Sequence, residues 1–483
     1  MPMAVDFSGR PFHFIGVGGI GMSALAYVLA KRQLPVSGSD RRLTHITNRL
    51  QENGVQIFWS QEADNIAQVT QTSATGGQLL PQVVCSTAIG SANLEYKAAI
   101  DAGCPMFHRS DILAALMNDS QGIAVAGTHG KTTTSSMVGY LLLEAGIDPS
   151  IVIGGEVSAW QGNAYVGTSD YMVAEADESD GSLVKLSAAI GIITNIELDH
   201  PDHYSTLDEV VGIFKHFANQ CGVIVGSADC ETVLNHIQPT VTYSLRPESG
   251  ADYIAADICE TAQGTTATIW ERGQQLGELH LSILGRHNLS NALAAIAVAR
   301  HLGIAFDTIA AIMPRFEGAK RRFDPRGFHN NILFVDDYAH HPSEIKVTLA
   351  AAKVKSTEVL PDISQRRVVA VFQPHRYSRI TTLLQEFARS FDEADQVIVT
   401  DIYSAGETNT SGITGEDVTS TIGEYHTQVS YAATLDDVKS KLASVLQPGD
   451  LVIFLTAGNL NQVIPDAMDY QAEQAEQAAL TSV

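Results

Sequence analysis

The pattern that most restricts the fold is a short apolar strand that runs into a glycine loop and then a helix, and it occurs twice. The first copy is PFHFIGVG followed by GMSALAYVLAKRQ, from residue 11. The second, from residue 122, is GIAVAG followed by a further glycine loop and TTTSSMVGYLLLEAG. Strand-like and helix-like segments continue to alternate after each copy. This alternation predicts α/β domains built on parallel sheets.

The length of the chain predicts more than one domain. A chain of 483 residues is too long for a single core and suggests about three domains of roughly 150 residues each. The strand–helix pattern restarts at Gly122, and again after the segment PRFEGAKRRFDP, which has a proline at each end. We therefore predict domains at 1–119, 120–317 and 318–483.

Charge and composition exclude several classes of protein. The net charge of −24, from 54 acidic and 30 basic residues, argues against a nucleic-acid partner, which requires a basic surface. No segment has the roughly 18 uncharged apolar residues of a membrane helix, and the N-terminus lacks a signal-peptide pattern. We therefore expect a cytoplasmic protein without membrane insertion. The scattered cysteines are expected to be free thiols, and they are Cys85, Cys104, Cys221, Cys230 and Cys259.

The first glycine loop has a spacing that suits a diphosphate. Gly16, Gly18 and Gly21 form G-x-G-x-x-G between a strand and a helix, and Asp40 ends the next strand. Glycines let a pyrophosphate approach the backbone, and the helix N-terminus supplies amide donors. One interpretation is NAD, with Asp40 on a ribose hydroxyl. The motif does not identify the base, so another diphosphate ligand stays open.

The second loop, GTHGKTTT, is typical of a nucleoside triphosphate site. Gly127 and Gly130 open the turn, Lys131 can reach the β- and γ-phosphates, and Thr132 can offer its hydroxyl to Mg²⁺. The loop departs from the full P-loop pattern, which has a glycine where this chain has Val125. The alternative is a glycine turn with a solvated lysine, but the flanking strand and helix favour a phosphate site.

Two strand ends in the same predicted domain carry side chains that suit a metal. They lie in YMVAEADE and TNIELDHPDHY and supply Glu175, Asp177, Glu178, Asp199, His200, Asp202 and His203. Carboxylates are hard oxygen ligands for the metal of an ATP site, and parallel sheets place ligands at strand ends. A polar turn is the alternative, but the nearby GTHGKTTT loop favours a magnesium site.

The C-terminal third contains a second group of polar residues. The segments VDDYAHHP and FQPHRYSR each follow a strand, so their side chains are expected at one sheet edge. These residues are Asp337, Tyr338, His340, Arg376 and Arg379. The planar fork of arginine binds both oxygens of a carboxylate. A surface loop with an ion pair is the alternative interpretation.

Together these motifs closely resemble the Mur ligases. In chain order they are GVGGIGMSALA, GTHGKTTT, EADESDGS, TNIELDH, GRHNLSNALAA, RRFD, DDYAHHPSE, FQPHRYSR and LTAGN. The resemblance implies a three-domain Mur ligase architecture. Its N- and C-terminal domains would be Rossmann-like and would bind a UDP-sugar and an amino acid, and its central domain would be P-loop ATPase-like.

The resemblance also implies roles for individual residues. UDP would be held by Gly16, Gly18 and Gly21, with further contacts from Asp40, Ser86, Thr87 and Ala88. ATP would be bound by Gly127, Thr128, His129, Gly130, Lys131, Thr132, Thr133, Asn288, Asn291 and Arg322. Magnesium would be held by Thr132, Glu175 and His200. The amino-acid and reacting-carboxylate site would contain Tyr338, His340, Arg376 and Arg379. Lys215 lies near the position of a carbamylated lysine in some relatives, but the resemblance there is poor and predicts no role.

The implied reaction is an ATP-dependent ligation. ATP would phosphorylate a muramic carboxylate, and the amine of an amino acid would then displace phosphate from the acyl phosphate. The first loop, GVGGIGMS, resembles the branch that adds L-alanine to UDP-N-acetylmuramate more than the branch that recycles a murein tripeptide. Two other classes remain open. An NAD-dependent dehydrogenase leaves GTHGKTTT unexplained, and a nucleotide-regulated binding protein leaves the C-terminal Arg/His cluster without a role.

Overall fold

The computed structural model describes residues 4–72, 78–201, 203–359 and 366–481. Asp202, one of the predicted metal-site residues, lies outside them. The chain divides into two compact units. The first comprises Met1–Glu197, Leu207–Tyr243 and Ala294–Ile312, and the second comprises Leu198–Thr206, Ser244–Leu293 and Met313–Val483. Across the described ranges, no helix combines the length and the apolar character needed to span a bilayer.

The first unit begins with a parallel sheet. The strands are β1 (Phe12–Ile15), β2 (Val36–Ser39), β3 (Gln56–Phe58), β4 (Gln71–Thr72), β5 (Gln78–Leu79), β6 (Gln82–Cys85) and β7 (Met106–His108). The sheet has the order β3-β2-β1-β6-β7, and β4 pairs only with β5. Its helices are α1 (Ile20–Lys31), α2 (His45–Glu52), α3 (Asp64–Val69), α4 (Leu94–Asp101) and α5 (Arg109–Asn118). The strand order reverses between β1 and β6, and ligands bind outside the carboxyl ends of strands at such a point.

A buried polar network lies inside this sheet. The imidazole of His13 on β1 bonds Ser37 on β2 through Nδ1 and Glu95 on α4 through Nε2, both at 2.8 Å. Ser39 and Asn65 also donate to the carboxylate of Glu95. All five side chains are buried. A satisfied network of this kind fixes the positions of the elements that contribute to it.

The first unit continues with a second, mostly parallel sheet. Its strands are β8 (Gln121–Ala126), β9 (Ser150–Val157), β10 (Gly162–Tyr165), β11 (Tyr171–Glu175), β12 (Ala188–Ile193), β13 (Cys221–Ser227) and β14 (Val241–Ser244). They follow the order β10-β9-β11-β8-β12-β13-β14, and only β10 runs antiparallel to its neighbour. The helices are α6 (Lys131–Glu144), α7 (Leu207–Asn219), α8 (Glu231–His236) and α10 (Phe306–Ile312), together with the part of α9 (Arg286–His301) from Ala294 onward; the residues of α9 before Ala294 belong to the second unit. Because β8 lies between β11 and β12, the loops after all three strands open at one edge.

Polar contacts join the two sheets of the first unit. Asn163 on β10 donates from Nδ2 to the carbonyl oxygen of Ile20 and to Oγ of Ser23, both on α1. Arg49 on α2 donates to the carbonyl oxygens of Trp160 and Ala164 at 3.3 and 3.1 Å. These bonds hold α1 and α2 against the β9–β10 hairpin.

The second unit contains an antiparallel meander and a doubly covered sheet. The meander consists of β15 (Tyr253–Thr261), β16 (Gly264–Glu271) and β17 (Gln274–Leu281). The sheet has the order β18-β19-β23-β20-β21-β22, with strands β18 (Asp324–His329), β19 (Ile332–Asp337), β20 (Val368–Phe372), β21 (Gln396–Val399), β22 (Val429–Tyr431) and β23 (Leu451–Leu455). Its helices are α11 (Pro342–Ser356), α12 (Tyr377–Ala388), α13 (Gly415–Gly423), α14 (Leu435–Val445) and α15 (Val463–Thr481).

The side chains of β23 show why this sheet is covered on both faces. Leu451, Ile453 and Leu455 belong to one buried cluster, and Val452 and Phe454 belong to another. Alternate residues of a strand point to opposite faces, and a parallel sheet covered on both faces has nearly continuous apolar strands. Polar groups are therefore concentrated at the strand ends.

Candidate active site

The first glycine loop is held by the neighbouring strand. Gly16 has a φ of +81°, and the amides of Gly16 and Val17 donate to the carbonyl oxygen of Ser39 at 2.8 and 3.0 Å. The amide of Gly18 donates to Oδ2 of Asp40 at 2.8 Å. A Cβ on Gly18 would lie 2.7 Å from that oxygen, so glycine is needed for Asp40 to close against the loop.

A cleft of about 410 Å³ lies beside this loop. It is lined by Asp40, Arg41, Arg42, Gln61, Ala88, Ile89, Gly90, Ala92 and Asn93. Of the residues predicted for UDP, Asp40 and Ala88 line the cleft, while Ser86 and Thr87 lie next to it on the loop after β6. The sequence interpretation missed Arg41 and Arg42. Their signal was a pair of basic residues directly after Asp40 in an acidic chain.

The second loop, Gly127–Thr134, has a backbone that only glycine tolerates at its start. Gly127 has a φ of +139°, and a Cβ there would overlap Oγ1 of Thr194. Gly130, with a φ of +81°, precedes the first residue of α6, which is Lys131. The amide of His129 donates to Oδ1 of Asn195 at 2.9 Å. The loop therefore presents the N-terminus of α6 at the carboxyl edge of β8, as phosphate binding requires.

Lys131 is buried against a carboxylate. Its Nζ donates to the carbonyl oxygens of Gly127 and Thr128 at 2.7 and 3.1 Å, and to both carboxylate oxygens of Glu178 at 3.0 and 2.9 Å. Burial disfavours its charge, but the attraction of Glu178 and Asp177 outweighs burial and raises the pKa of Lys131. Burial raises the pKa of Glu178 to about 7, although Lys131 opposes this shift. Glu178, predicted as a metal-site residue, is thus the partner of Lys131.

Two predicted metal ligands lie side by side. Oγ1 of Thr132, on the first turn of α6, donates to Oε1 of Glu175 at 3.1 Å. Oε2 of Glu175 accepts from the amide of Gly154 at 2.7 Å. A hydroxyl beside a carboxylate is a suitable donor set for a hard cation such as Mg²⁺. His200, the third predicted ligand, belongs to the second unit, where its φ is +57° and its amide donates to Asp199.

The predicted nucleotide contacts Asn288, Asn291 and Arg322 fall into two places in the second unit. Asn288 and Asn291 are buried near the start of α9, where Nδ2 of Asn291 lies 3.3 Å from Oδ1 of Asn288. The guanidinium of Arg322 lies over the ring of Tyr338, 5.3 Å from its centroid. The structure therefore places Arg322 beside Tyr338, which was predicted to belong to the amino-acid site.

The two predicted arginines have different surroundings. Arg379 is 2% exposed; its Nε donates to Oδ1 of Asp199 at 2.9 Å, and its Nη1 lies 3.2 Å from Nδ1 of His375. Burial alone would raise the pKa of Asp199, but Arg379 and neighbouring histidines hold it well below its usual range. The side chain of Arg376 is 31% exposed and lies 3.5 Å from Glu407. Arg376 is thus the more accessible of the two.

Three further predicted or nearby groups of the same unit are His340, His375 and Asp337. Burial lowers the pKa of His340 to about 4 and that of His375 to about 3. Nδ1 of His340 lies 2.8 Å from the carbonyl oxygen of Tyr338, which can only accept, so Nδ1 carries the proton and Nε2 is an acceptor. Asp337 is buried and accepts from the amides of Phe323 and Ala339 at 2.6 and 2.8 Å. Its carboxylate therefore fixes the backbone around Tyr338.

The fold and the loops define a class of protein before any comparison. A lysine-bearing glycine loop at the edge of a parallel sheet, with Thr132 beside Glu175, is the arrangement of a nucleotide-binding phosphotransfer protein. Family models match in chain order: "Mur ligase family, catalytic domain" over residues 11–121, "Mur ligase middle domain" over 125–299, and "Mur ligase, glutamate ligase domain" over 321–458. The chain belongs to the Mur ligase family.

Individual relatives cover nearly the whole chain. A protein of Nostoc punctiforme named "UDP-N-acetylmuramate--L-alanine ligase" is 60% identical over 99% of both chains. The crystal structure of UDP-N-acetylmuramate-alanine ligase from Thermotoga maritima is 27% identical, with a TM-score of 0.79 over 96% of this chain and 99% of that one. A murein peptide ligase from Psychrobacter arcticus, 24% identical with a TM-score of 0.70 over 96% and 99%, shares the fold.

Proposed function

We propose that this protein ligates L-alanine to the carboxylate of UDP-N-acetylmuramate, with ATP as the energy source and an acyl phosphate as the intermediate. The observation that carries the proposal is the full-length similarity to a ligase named for these two substrates. The first-loop resemblance to the alanine-adding branch and the geometry of the lysine loop agree with it. The product is a precursor of peptidoglycan, and the proposed location is the cytoplasm.

The proposed division of labour follows the predicted domains. Residues 1–119 would bind the UDP-sugar, 120–317 would bind ATP, and 318–483 would bind the amino acid. The family models support these boundaries, since one ends at residue 121 where the next begins at 125, and the last begins at 321. Gly16, Gly18, Gly21 and the adjoining cleft would take the UDP moiety.

The lysine loop would carry the phosphoryl transfer. The amides at the N-terminus of α6 would bind phosphate oxygens, and Lys131 would exchange Glu178 for the β- and γ-phosphates. Thr132 and Glu175 would hold Mg²⁺, which supplies positive charge to neutralise the transferring group. His200 stays the predicted third ligand, and Asn288, Asn291 and Arg322 stay predicted nucleotide contacts. In this site the chain orients the phosphates and excludes water, as an acyl phosphate requires.

The second unit would recognise the incoming amino acid. Arg376 has an accessible guanidinium that suits the alanine carboxylate. Nε2 of His340 is an acceptor and is available to take a proton from the attacking amine. Tyr338, whose ring meets that of His340 edge-to-face at a centroid distance of 5.3 Å, would shape the same site. Arg379, whose guanidinium donates to Asp199, would stabilise this site rather than bind the substrate.

The test of the proposal is a ligation assay with phosphate release as the readout. The purified protein is incubated with ATP, Mg²⁺ and UDP-N-acetylmuramate, and with L-alanine, glycine, L-serine or a murein tripeptide. We expect phosphate release that depends on both the UDP-sugar and L-alanine. Preference for the tripeptide, or release that requires neither substrate, would refute the proposal. A calorimetric titration in which NAD binds more tightly than UDP-N-acetylmuramate would do the same.

We expect Arg376→Lys to raise the apparent KM for L-alanine by about tenfold or more. Lysine is a point charge and cannot reproduce a bidentate contact with a carboxylate. The KM for ATP should change little, because the lysine loop lies in the other unit. Arg389→Lys is the matched control, since Arg389 is an arginine of the same unit that stacks on Tyr425. A raised KM for ATP with normal alanine dependence would contradict the assignment.

A further inference from the structure

Arg109 lies at the edge of the first sheet, beside the first glycine loop. It is the first residue of α5, directly after β7. The helix start is fixed by a capping box between His108 and Asp111. A Cβ built on Gly21 would lie 3.8 Å from Nη1 and 3.9 Å from Cδ of Arg109. The side chain of Arg109 therefore faces the last glycine of the loop that is proposed to hold the UDP-sugar, at a distance that would leave room for a methyl group.

The same guanidinium contacts the segment that follows β11. Nη2 of Arg109 lies 3.1 Å from Oδ2 of Asp177 and 3.1 Å from Oδ2 of Asp180. The side chain of Arg109 is 22% exposed, that of Asp180 is 9% exposed and that of Asp177 is 32% exposed. A guanidinium nitrogen that contacts two carboxylates, one of them largely withdrawn from water, makes a stronger contact than a solvated surface pair.

This segment leads directly to the lysine loop. Asp177 is adjacent to Glu178, whose carboxylate holds Lys131 at 2.9 Å. The negative charge of Asp177 also acts on Lys131. A run of charged groups therefore extends from Arg109, which faces Gly21, through Asp177 and its neighbour Glu178 to the lysine of the phosphate loop.

A second ion pair joins the same elements and provides a comparison. Nζ of Lys185 lies 2.7 Å from Oδ1 of Asp111, so it also fastens α5 to the region after β11. Its side chains are 41% and 34% exposed, and in the described part of the chain no hydrogen bond or ion pair joins it to either glycine loop. If α5 only had to be fastened to this region, the Lys185–Asp111 pair would do so without the two carboxylates on Arg109.

We propose that Arg109 is a positioning residue that couples the UDP-sugar site to the ATP site. Because it faces Gly21 and binds Asp177 and Asp180, it sets the position of the Lys131–Glu178 pair according to the state of the first loop. Occupation of the first loop by the UDP-sugar then favours the arrangement of the lysine loop that binds ATP. This inference rests on the proposed function and adds to it the route by which the two sites communicate.

The test measures coupling between two ligands in the absence of turnover. Calorimetry gives the Kd of a non-hydrolysable ATP analogue with Mg²⁺, without and with saturating UDP-N-acetylmuramate. For the native protein we expect the UDP-sugar to lower this Kd by about fivefold or more, the lower end of typical coupling between sites. For Arg109→Met we expect the ratio to fall to within about twofold of one, while the analogue alone still binds.

Two further variants make the result decisive. Lys185→Gln removes the comparison pair and should keep the native ratio. Asp180→Asn removes one partner of Arg109 and should reduce the ratio, which keeps the test usable if Arg109→Met fails to fold. Native coupling that survives both Arg109→Met and Asp180→Asn overturns the inference, as does a native protein that binds both ligands without coupling. A native protein that does not bind UDP-N-acetylmuramate overturns the proposed function itself.

Discussion

Replacing Lys131 with methionine is expected to lower the ligation rate by at least about 10²–10³-fold, the usual cost of losing one charged contact to a developing anion. Methionine keeps the apolar stem of the side chain and removes the charge, together with the N–H groups that donate to Gly127, Thr128 and Glu178. Binding of the UDP-sugar should be retained, because the described hydrogen bonds of Nζ of Lys131 go to its own loop and to Glu178. The measurement is phosphate release under saturating substrates, together with calorimetric binding of UDP-N-acetylmuramate.

The control for this experiment has to take account of Glu178, the buried partner of Lys131. Glu178 is 2% exposed and loses its counter-charge in Lys131→Met, and an unpaired buried charge is destabilising. Its pKa, already raised to about 7, would rise further, so that the carboxyl is protonated in the variant. We expect Lys131→Met combined with Glu178→Gln to match native stability in urea unfolding and to stay inactive. Recovery of activity in the double variant would show that Lys131 serves the fold alone.

Removing either of the two adjacent residues predicted to bind the metal, Thr132 and Glu175, is expected to raise the magnesium requirement. Glu175→Gln and Thr132→Val should each increase the Mg²⁺ concentration for half-maximal activity by about tenfold or more, since even outer groups of a metal site cost 10–100-fold. Glu175→Gln should have the larger effect, because a carboxylate also supplies charge. Activity titrations with Mg²⁺ at fixed ATP give the measurement.

The same helix offers a matched control for the hydroxyl. Thr134 lies on α6 two residues after Thr132, and its buried Oγ1 has no hydrogen-bond partner among the residues that the structure describes. Thr134→Val therefore removes a hydroxyl from the same turn without touching Glu175. We expect an unchanged magnesium requirement in this variant. An equal shift in Thr134→Val and Thr132→Val would mean that the effect arises from packing of α6.

The sequence was sufficient to predict those parts of the structure that depend on local patterns of residues. Each glycine loop has an apolar strand before it and a helix after it, and the structure confirms the α/β class. The closeness of Thr132 and Glu175 was also predictable, because parallel strands bring their carboxyl ends to one edge. The specific residue roles, including those of Asn288, Asn291 and Tyr338, stay predictions.

Contacts between distant segments were beyond sequence reasoning. Arg376 and Arg379 lie three residues apart shortly after β20, and this spacing would allow both side chains to bind one ligand. Yet Arg379 is buried against Asp199, which is 180 residues away along the chain. The sequence alone predicts that Glu178 is a metal-site carboxylate, whereas the structure shows that it is paired with Lys131. Neither pairing has a local signal, because each depends on how separate loops are brought together.

The buried network of the first sheet has a consequence for how this part of the chain diverges among relatives. His13, Ser37, Ser39, Asn65 and Glu95 satisfy one another within the core, so losing any one of them leaves a buried polar group without a partner. Single substitutions there should therefore be destabilising, whereas exchange of the whole set for apolar residues should be far less costly. The five positions should therefore be inherited as a block. Relatives that lack Glu95 should also lack the histidine at position 13, and an alignment of the family would reveal correlated change at sites up to 82 residues apart in sequence.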